Sequence, residues 1–402
     1  MTDAGEADGL TSRLAIQAIV ARLCAQPRAT LPDAWVSAVA EAGEGPSLAA
    51  AADRTMIAGL LWSVLTPHQR EILGDEASER LRNLHLGNAL RWAATRKLLI
   101  DAATTLGEAG IPVAPLKGAA LQLTVYQDPG QRALTDLDLL VPEKDLAAAQ
   151  ELLSRDAETV HGPRASHHHL GGIVMPGAGG MIELHGADAH AALWPQRGNT
   201  FADGTPTTLE GASFVMPDQV DLWLHVACHG LNHAPHYWPR MAADLALLQG
   251  QREWSGEHWE AAWGAASQHG APRAVLVAAA IANMARVPDG LRGLATGRAD
   301  LGVSEERVAE AWSVATVRSG GKFGPWATDW VTAGEARGER FREYVLPPSA
   351  RLSERLPVGR VVARVLYPCS VAFRCFELGK TGLAWRAALR RCSALPGAVL
   401  DQ

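Results

Sequence analysis

The sequence contains little cysteine and no long apolar run. Its 402 residues include five cysteines, none of them in a C-x-x-C pair: Cys24, Cys228, Cys369, Cys375 and Cys392. This scatter argues against a disulfide framework and a cysteine-based zinc site, and it is typical of a reducing cytosol. The most apolar candidate for a membrane span, near 358–376, is interrupted by three arginines, whereas a spanning helix needs about 20 apolar residues.

The sequence also lacks an excess of positive charge and a leader-like start. The formal net charge is −6, which does not favour nucleic acid as a partner. The first residues, from Met1 to Glu6, are acidic and contain no apolar core, so no signal peptide is predicted. We therefore expect a soluble cytoplasmic protein that does not associate with membranes.

The spacing of apolar residues divides the chain into three regions. Residues 1–105 and 216–402 show the apolar spacing of helices, whereas residues 106–215 alternate short strands, turns and helices. We predict an α+β protein, with a small mixed-sheet core at 106–215 between N-terminal and C-terminal helical regions. Two apolar stripes predict several short helices in the N-terminal region: one with Ile19, Val20 and Leu23, and one with Leu86, Leu90, Trp92, Leu98 and Leu99. In the C-terminal region the predicted helices are Val220–Cys228, Trp238–Leu248, Leu276–Met284 and Val308–Val314.

The central region contains two strands that carry acids. Residues 136–141 alternate at the start between aspartate and leucine, so Asp136 and Asp138 share one face of a strand. Two carboxylates this close repel by roughly 1–4 kcal/mol, and a Mg²⁺ or Mn²⁺ ion between them removes the cost. A hairpin is predicted from 167–175 and 181–185, and its second strand places Glu183 and His185 on one face. Glu183 can complete the metal site or accept a proton from an attacking hydroxyl.

Phosphate-binding groups precede these acids. A predicted strand at 110–116 ends at Lys117-Gly118, where a helix begins, and a glycine turn at a helix N-terminus can bind phosphate. Arg132 can contact a triphosphate or pair with Asp136. An intrahelical pair with Asp244 at i+4 is the expectation for Arg240. Three acids beside such a turn indicate metal-assisted phosphoryl or nucleotidyl transfer.

Several of these segments, in this order, resemble an uncharacterised nucleotidyltransferase family of the DNA polymerase β-type nucleotidyltransferase superfamily. The resemblance covers roughly residues 95–290. It is carried by the segments at 116–121, 126–132, 135–141, 182–185, 222–229 and 238–245.

The resemblance implies roles for individual residues. Gly118 would lie at the nucleotide-phosphate turn, Asp136 and Asp138 would bind the catalytic metal, and Glu183 would be the third acid. The superfamily usually has glycine or serine after the turn glycine, whereas this sequence has Ala119. Lys117 would then supply a phosphate contact as a point charge, and the choice between nucleotidyl and phosphoryl transfer stays open. The resemblance also makes the helix at 238–245 part of the site wall, so Arg240 would contact nucleotide phosphate.

The expected function is transfer of a nucleoside monophosphate from a nucleoside triphosphate, such as ATP, to a hydroxyl of an unidentified small molecule or peptide, with Mg²⁺ or Mn²⁺. The alternatives are a kinase-like phosphotransferase and a catalytically inactive nucleotide-binding protein. A histidine-based metallohydrolase is a further rival, because His225 and His229 have the i, i+4 spacing of zinc ligands. There is no H-E-x-x-H motif, and the roles of these two histidines and of 167–169 are left open.

Overall fold

The part of the chain before the sheet is helical. A computed structural model describes residues 15–16, 18–160, 169–176, 180–186, 198–232, 237–251, 254–268 and 272–282. Residues 18–25 are helical. The helices that follow are Asp33–Glu41 (α1), Gly45–Arg54 (α2), Ala58–Val64 (α3), Pro67–Leu73 (α4) and Asp75–Glu108 (α5).

The termini of these helices follow from local sequence. Thr66 caps α4 in a capping box with Gln69, which satisfies backbone N–H groups that the helix leaves unpaired. Gly74, with a φ of 83°, separates α4 from α5. Gly110, with a φ of 71°, follows α5 and lets the Ile111 N–H bond the Leu106 carbonyl. Glycine adopts this left-handed conformation at little cost.

Helix α5 differs from the prediction in length and at two positions of its predicted stripe. It is one helix of 34 residues in place of several short ones. Leu86 is 46% exposed and Leu90 is 73% exposed, whereas Trp92, Leu98 and Leu99 of the same stripe are buried as predicted. The leucine pattern therefore indicated the wrong face only at its first two positions.

The central sheet has five strands in the order β1-β2-β5-β4-β3. Strand β2 pairs antiparallel with β1 and parallel with β5, and β4 pairs antiparallel with β5 and β3. The predicted mixed sheet and the predicted hairpin are therefore confirmed. The strands are Ala114–Pro115 (β1), Leu137–Val141 (β2), Thr159–Val160 (β3), His169–Val174 (β4) and Met181–Gly186 (β5).

The alternation of side chains gives the sheet two different faces. Leu137, Leu139 and Val141 belong to the main core together with Ile182 and Leu184 of β5. That face packs against helices Lys117–Thr124 (α6) and Leu146–Ser154 (α7), and α7 follows a 3₁₀ turn at Glu143–Asp145. The other face of β2 carries Asp138 and Leu140, since successive side chains of a strand alternate.

A second hairpin, which the sequence analysis did not predict, borders that other face. It follows a short helix, Thr200–Asp203 (α8), and consists of Thr205–Leu209 (β6) and Ala212–Met216 (β7). Its turn, Glu210-Gly211, has φ angles of 49° and 88°, as two-residue hairpin turns prefer. Val215 of β7 packs against Leu140 and donates its N–H to the Val113 carbonyl at 2.9 Å.

After the hairpins the described chain is helical again. One continuous core joins these helices to the sheet and to the N-terminal helices. No helix among the described residues is long and apolar enough to cross a membrane. The predicted helix Val308–Val314 lies outside the described residues. The helices are Gln219–Asn232 (α9), Trp238–Gln251 (α10), Gly256–Gln268 (α11) and Pro272–Ala282 (α12).

Candidate active site

Lys117 is the first residue of α6 and lies beside strand β2. The Leu116 N–H donates to the Asp138 carbonyl at 3.0 Å, which continues the β1–β2 pairing up to the bend. Lys117 then takes a φ of 43°, a conformation that costs a non-glycine residue free energy and is often found at functional sites. The bend brings its ammonium to the Asp138 carboxylate, and the whole side chain is buried.

Asp138 is the centre of a buried polar cluster. Its Oδ1 accepts a hydrogen bond from Lys117 Nζ at 2.5 Å and one from His185 Nε2 at 2.7 Å. Burial alone raises the pKa of Asp138, but the Lys117 ammonium and the hydrogen bond from His185 outweigh burial and hold that pKa well below its ordinary value. Asp138 is therefore a carboxylate, and His185 Nε2 is the donor.

Glu183 and His185 reach Asp138 because of strand register. Asp138 is the partner of Glu183 across the parallel β2–β5 pair, and His185 lies two residues further along the same face of β5. Each of the three residues offers one ligand atom, and these atoms lie within 4.8 Å of one another. Burial, more than any other influence, lowers the pKa of His185, which favours the neutral imidazole that binds metals.

Asp136 lies near this group but is not one of its three members. It precedes β2, which begins at Leu137, and its Oδ1 accepts a hydrogen bond from the Thr135 hydroxyl at 3.0 Å. Burial raises the pKa of Asp136, and the neighbouring Asp138 raises it further, while Lys117 opposes the rise. Asp136 thus adds negative charge beside Asp138, but it does not belong to the group of ligand atoms formed by Asp138, Glu183 and His185.

Arg132 is held by the C-terminal helices rather than by Asp136. Its Nε and Nη2 donate to the two carboxylate oxygens of Asp244 on α10, each at 2.9 Å, and the Tyr126 hydroxyl donates to Asp244 Oδ1 at 2.7 Å. Burial disfavours the guanidinium charge, but Asp244 more than compensates and raises the pKa of Arg132. A Cβ at Gly118 would come within 2.5 Å of Arg132 Nη1, so the glycine leaves room for the guanidinium.

A cleft of about 310 Å³ opens between α6 and the helices α9 and α10. Arg240 lies in it with its Cζ 5.2 Å from the centre of the Tyr237 ring. The cleft thus combines three cationic side chains with one aromatic ring and some apolar wall. Its lining residues are Lys117, Arg132, Val226, His229, Gly230, Tyr237, Arg240, Met241 and Asp244.

Of the two histidines with zinc-ligand spacing, His229 is among the residues that line the cleft and His225 is not. His229 lines the cleft, and its charge contributes to the lowered pKa of Asp138. His225 is buried behind it, with the two rings edge to face at 6.3 Å. His169 is paired in register with His185 across the hairpin, whereas His167 and His168 lie outside the described residues.

The donors present fit a divalent cation. Asp138 and Glu183 supply carboxylate oxygens, which suit Mg²⁺ and Mn²⁺, and His185 supplies an imidazole, which also suits other divalent metals. Lys117 already contributes one positive charge at Asp138. The carboxylates of this group outnumber the one lysine, so the group keeps a net negative charge that a cation would compensate.

Comparison with known families adds to this geometry. A family model described as uncharacterised nucleotidyltransferase matches residues 43–285, more than half of the 402-residue chain. The chain belongs to this family. No curated protein and no solved structure matches the chain. The match confirms the resemblance seen in the sequence, but it begins at 43 rather than near 95 and so includes most of the N-terminal helices.

Two features of the candidate site were not predicted as such. From the sequence, His185 was expected only to share a strand face with Glu183, whereas it lies among the three candidate ligands, and its place two residues after Glu183 was the signal for this. Asp244 was expected to pair with Arg240 on the same helix, whereas it pairs with Arg132. No sequence spacing indicates a contact between residues 112 positions apart.

Proposed function

We propose that the protein is a divalent-metal-dependent nucleotidyltransferase that moves a nucleoside monophosphate from a nucleoside triphosphate to a hydroxyl of a small molecule or peptide. The observation that carries this proposal is the group formed by Asp138, Glu183 and His185 on adjacent strands, with ligand atoms within 4.8 Å of one another. The family match supports the same reaction class.

The cation would be held by Asp138 and Glu183, with His185 as a third ligand. When bound, it would polarise the phosphoryl oxygens and assist the in-line displacement. The reaction forms a bond from the acceptor oxygen to the α-phosphorus and breaks the bond to the leaving pyrophosphate. Asp136 lies outside this ligand group, and its pKa is raised by burial first and by Asp138 second, so it would accept the proton of the acceptor hydroxyl.

The cleft supplies the groups that bind the phosphate chain. Lys117 and Arg240 line it together with Arg132, and guanidinium groups bind phosphate oxygens with two parallel hydrogen bonds. Lys117 and Arg132 are buried side chains, so an anion in the cleft would meet cationic groups that are shielded from water. Gly118 supports this wall, because its missing side chain leaves space for Arg132.

The test is a labelling experiment with two positions of label. The protein is incubated with Mg²⁺ or Mn²⁺, a desalted cell extract and each nucleoside triphosphate, labelled on the α- or on the γ-phosphate. Nucleotidyl transfer puts the α-label into a product, whereas phosphoryl transfer puts in only the γ-label. Asp138→Asn and Glu183→Gln should abolish labelling. Asp101→Asn, which alters an exposed acid on α5 paired with Lys97, should not. Full activity in Asp138→Asn contradicts the proposal.

One observation favours the second candidate, a nucleotide-binding protein without turnover. Lys117 Nζ occupies Asp138 Oδ1 at 2.5 Å, so a lysine already compensates the carboxylate most central to the site. In that case nucleotide binds equally well with EDTA and with Mg²⁺, and neither label is transferred. Calorimetric titration of ATP with and without Mg²⁺ separates the two candidates.

A further inference from the structure

The three cations of the cleft differ in whether a carboxylate compensates them. Lys117 is paired with Asp138, and Arg132 with Asp244. Arg240 is different: Nη1 contacts the Met56 sulfur at 3.2 Å and the guanidinium stacks on Tyr237. Neither partner carries a formal negative charge, and no ion pair joins Arg240 to a carboxylate within the described ranges.

The expected partner of Arg240 is engaged elsewhere. Asp244 lies at i+4 on the same helix, where an intrahelical pair would form. Its Oδ1 accepts hydrogen bonds from Arg132 and Tyr126 instead, and its Oδ2 accepts one from Arg132. These three donors, all from the 126–132 segment, occupy both carboxylate oxygens of Asp244.

Arg240 is therefore a half-buried cation next to a second cation. Burial, and then the charge of Arg132, lower the pKa of Arg240, which means that its surroundings disfavour the charged form. A guanidinium stays charged at neutral pH even so. An anion entering the cleft would relieve this unfavourable environment, and the guanidinium already contacts Met56 and the Tyr237 ring before an anion binds.

We propose that Arg240, stacked on Tyr237, is the principal binding residue for an inorganic or nucleotide polyphosphate, and that it binds this anion without a metal ion. This binding role adds detail to the proposed function. It rests on that function for one point, namely that the physiological ligand is a nucleoside triphosphate. The polyphosphate-binding step itself depends on the charges of the cleft and not on the acids of strands β2 and β5.

The probe is inorganic tripolyphosphate in the presence of EDTA, titrated into the full-length protein by calorimetry. Wild type should bind it. Arg240→Gln should weaken binding about tenfold or more, because a charge-assisted bidentate contact is lost. Arg240→Lys keeps the charge but loses the planar fork, so it should bind several-fold more weakly than wild type. The matched control is Arg70→Gln, since Arg70 also stacks on an aromatic ring, that of Trp62 at 3.9 Å, but lies outside the cleft.

The outcomes distinguish this inference from the proposed function. Binding lost in Arg240→Gln and kept in Arg70→Gln supports the inference, even if labelling experiments detect no transferase product. Absence of tripolyphosphate binding by wild type in EDTA overturns the inference. Equal affinity of wild type, Arg240→Lys and Arg240→Gln for tripolyphosphate also overturns it, even if the enzyme is active. A thermal melt of each variant, read by circular dichroism, checks folding, and Arg240→Lys serves as the decisive variant if Arg240→Gln does not fold.

Discussion

The buried pair of Arg132 and Asp244 permits a quantitative prediction about stability. The side chains are 7% and 2% exposed, and they join the segment before the acidic strand to helix α10. Asp244→Ala would leave the Arg132 guanidinium buried beside Arg240 with no anion, and it would also remove the acceptor of the Tyr126 hydroxyl. Two neighbouring cations of the cleft lining, Arg132 and Arg240, would then both lack a paired carboxylate within the described part of the chain.

The expected cost follows from that uncompensated charge. Breaking a buried ion pair by removing one partner costs about 3–5 kcal/mol of folding free energy. Tyr126→Phe removes one hydrogen bond to the same carboxylate and should cost about 1.5–3 kcal/mol. The double variant Arg132→Met/Asp244→Leu removes both charges, and it should therefore be more stable than Asp244→Ala.

Urea unfolding at pH 7, followed by tryptophan fluorescence, measures these differences. The exposed pair of Arg80 and Asp53, with side chains 47% and 39% exposed, provides the control. Asp53→Ala should cost no more than about 1 kcal/mol, because water screens the pair. The reasoning is refuted if Asp244→Ala costs less than Tyr126→Phe, or if the double variant is less stable than Asp244→Ala.

Three further changes test other parts of the structure. Gly118→Ala should lower stability by about 1–3 kcal/mol, since its Cβ would approach a Leu134 methyl at 2.3 Å and Arg132 at 2.5 Å. The control Gly107→Ala should not destabilise the protein, because a Cβ there meets nothing within 4 Å. Equal shifts of the melting temperature in the two variants would contradict this reasoning. Leu90→Gln should change the free energy of unfolding by less than about 0.5 kcal/mol, against about 2–5 kcal/mol for Leu81→Ala on the buried face of α5. Asp136→Asn in EDTA should stabilise the fold at pH 7, because the raised pKa of Asp136 means that its ionised form is disfavoured in the folded state. That gain should vanish below about pH 4, the ordinary aspartate range, where Asp136 is protonated in both folded and unfolded chains; a gain independent of pH would oppose the assignment.

The sheet and its acids were predictable because their pattern is local. Alternation over 137–141 and 181–186 set which side chains share a face, and the structure places Asp138 directly beside Glu183. Asp136 shows the limit of that argument. It lies one residue before the strand begins, where strand periodicity no longer fixes the direction of a side chain, and whether it acts at the site stays a prediction.

Helix α5 was mispredicted in its middle because a polar residue is buried there. Hydrophobic spacing favours a face that carries Leu86 and Leu90, but these are exposed. Asn88, which lies between them in the sequence, is buried. Its side-chain amide donates to the Gly130 carbonyl at 3.1 Å, and a satisfied amide is tolerated in a core. No local pattern contains this contact, because its partners are 42 residues apart.

Several polar contacts that local patterns do not contain meet on one segment, residues 128–132, which leads into the acidic strand. Asn88 of α5 and Gln122 of α6 donate to its carbonyl groups, and Asp244 of α10 accepts from its arginine. Helices from both flanking regions thus contact the segment that precedes the acidic strand. The family match over 43–285 includes all of these helices as well as the sheet.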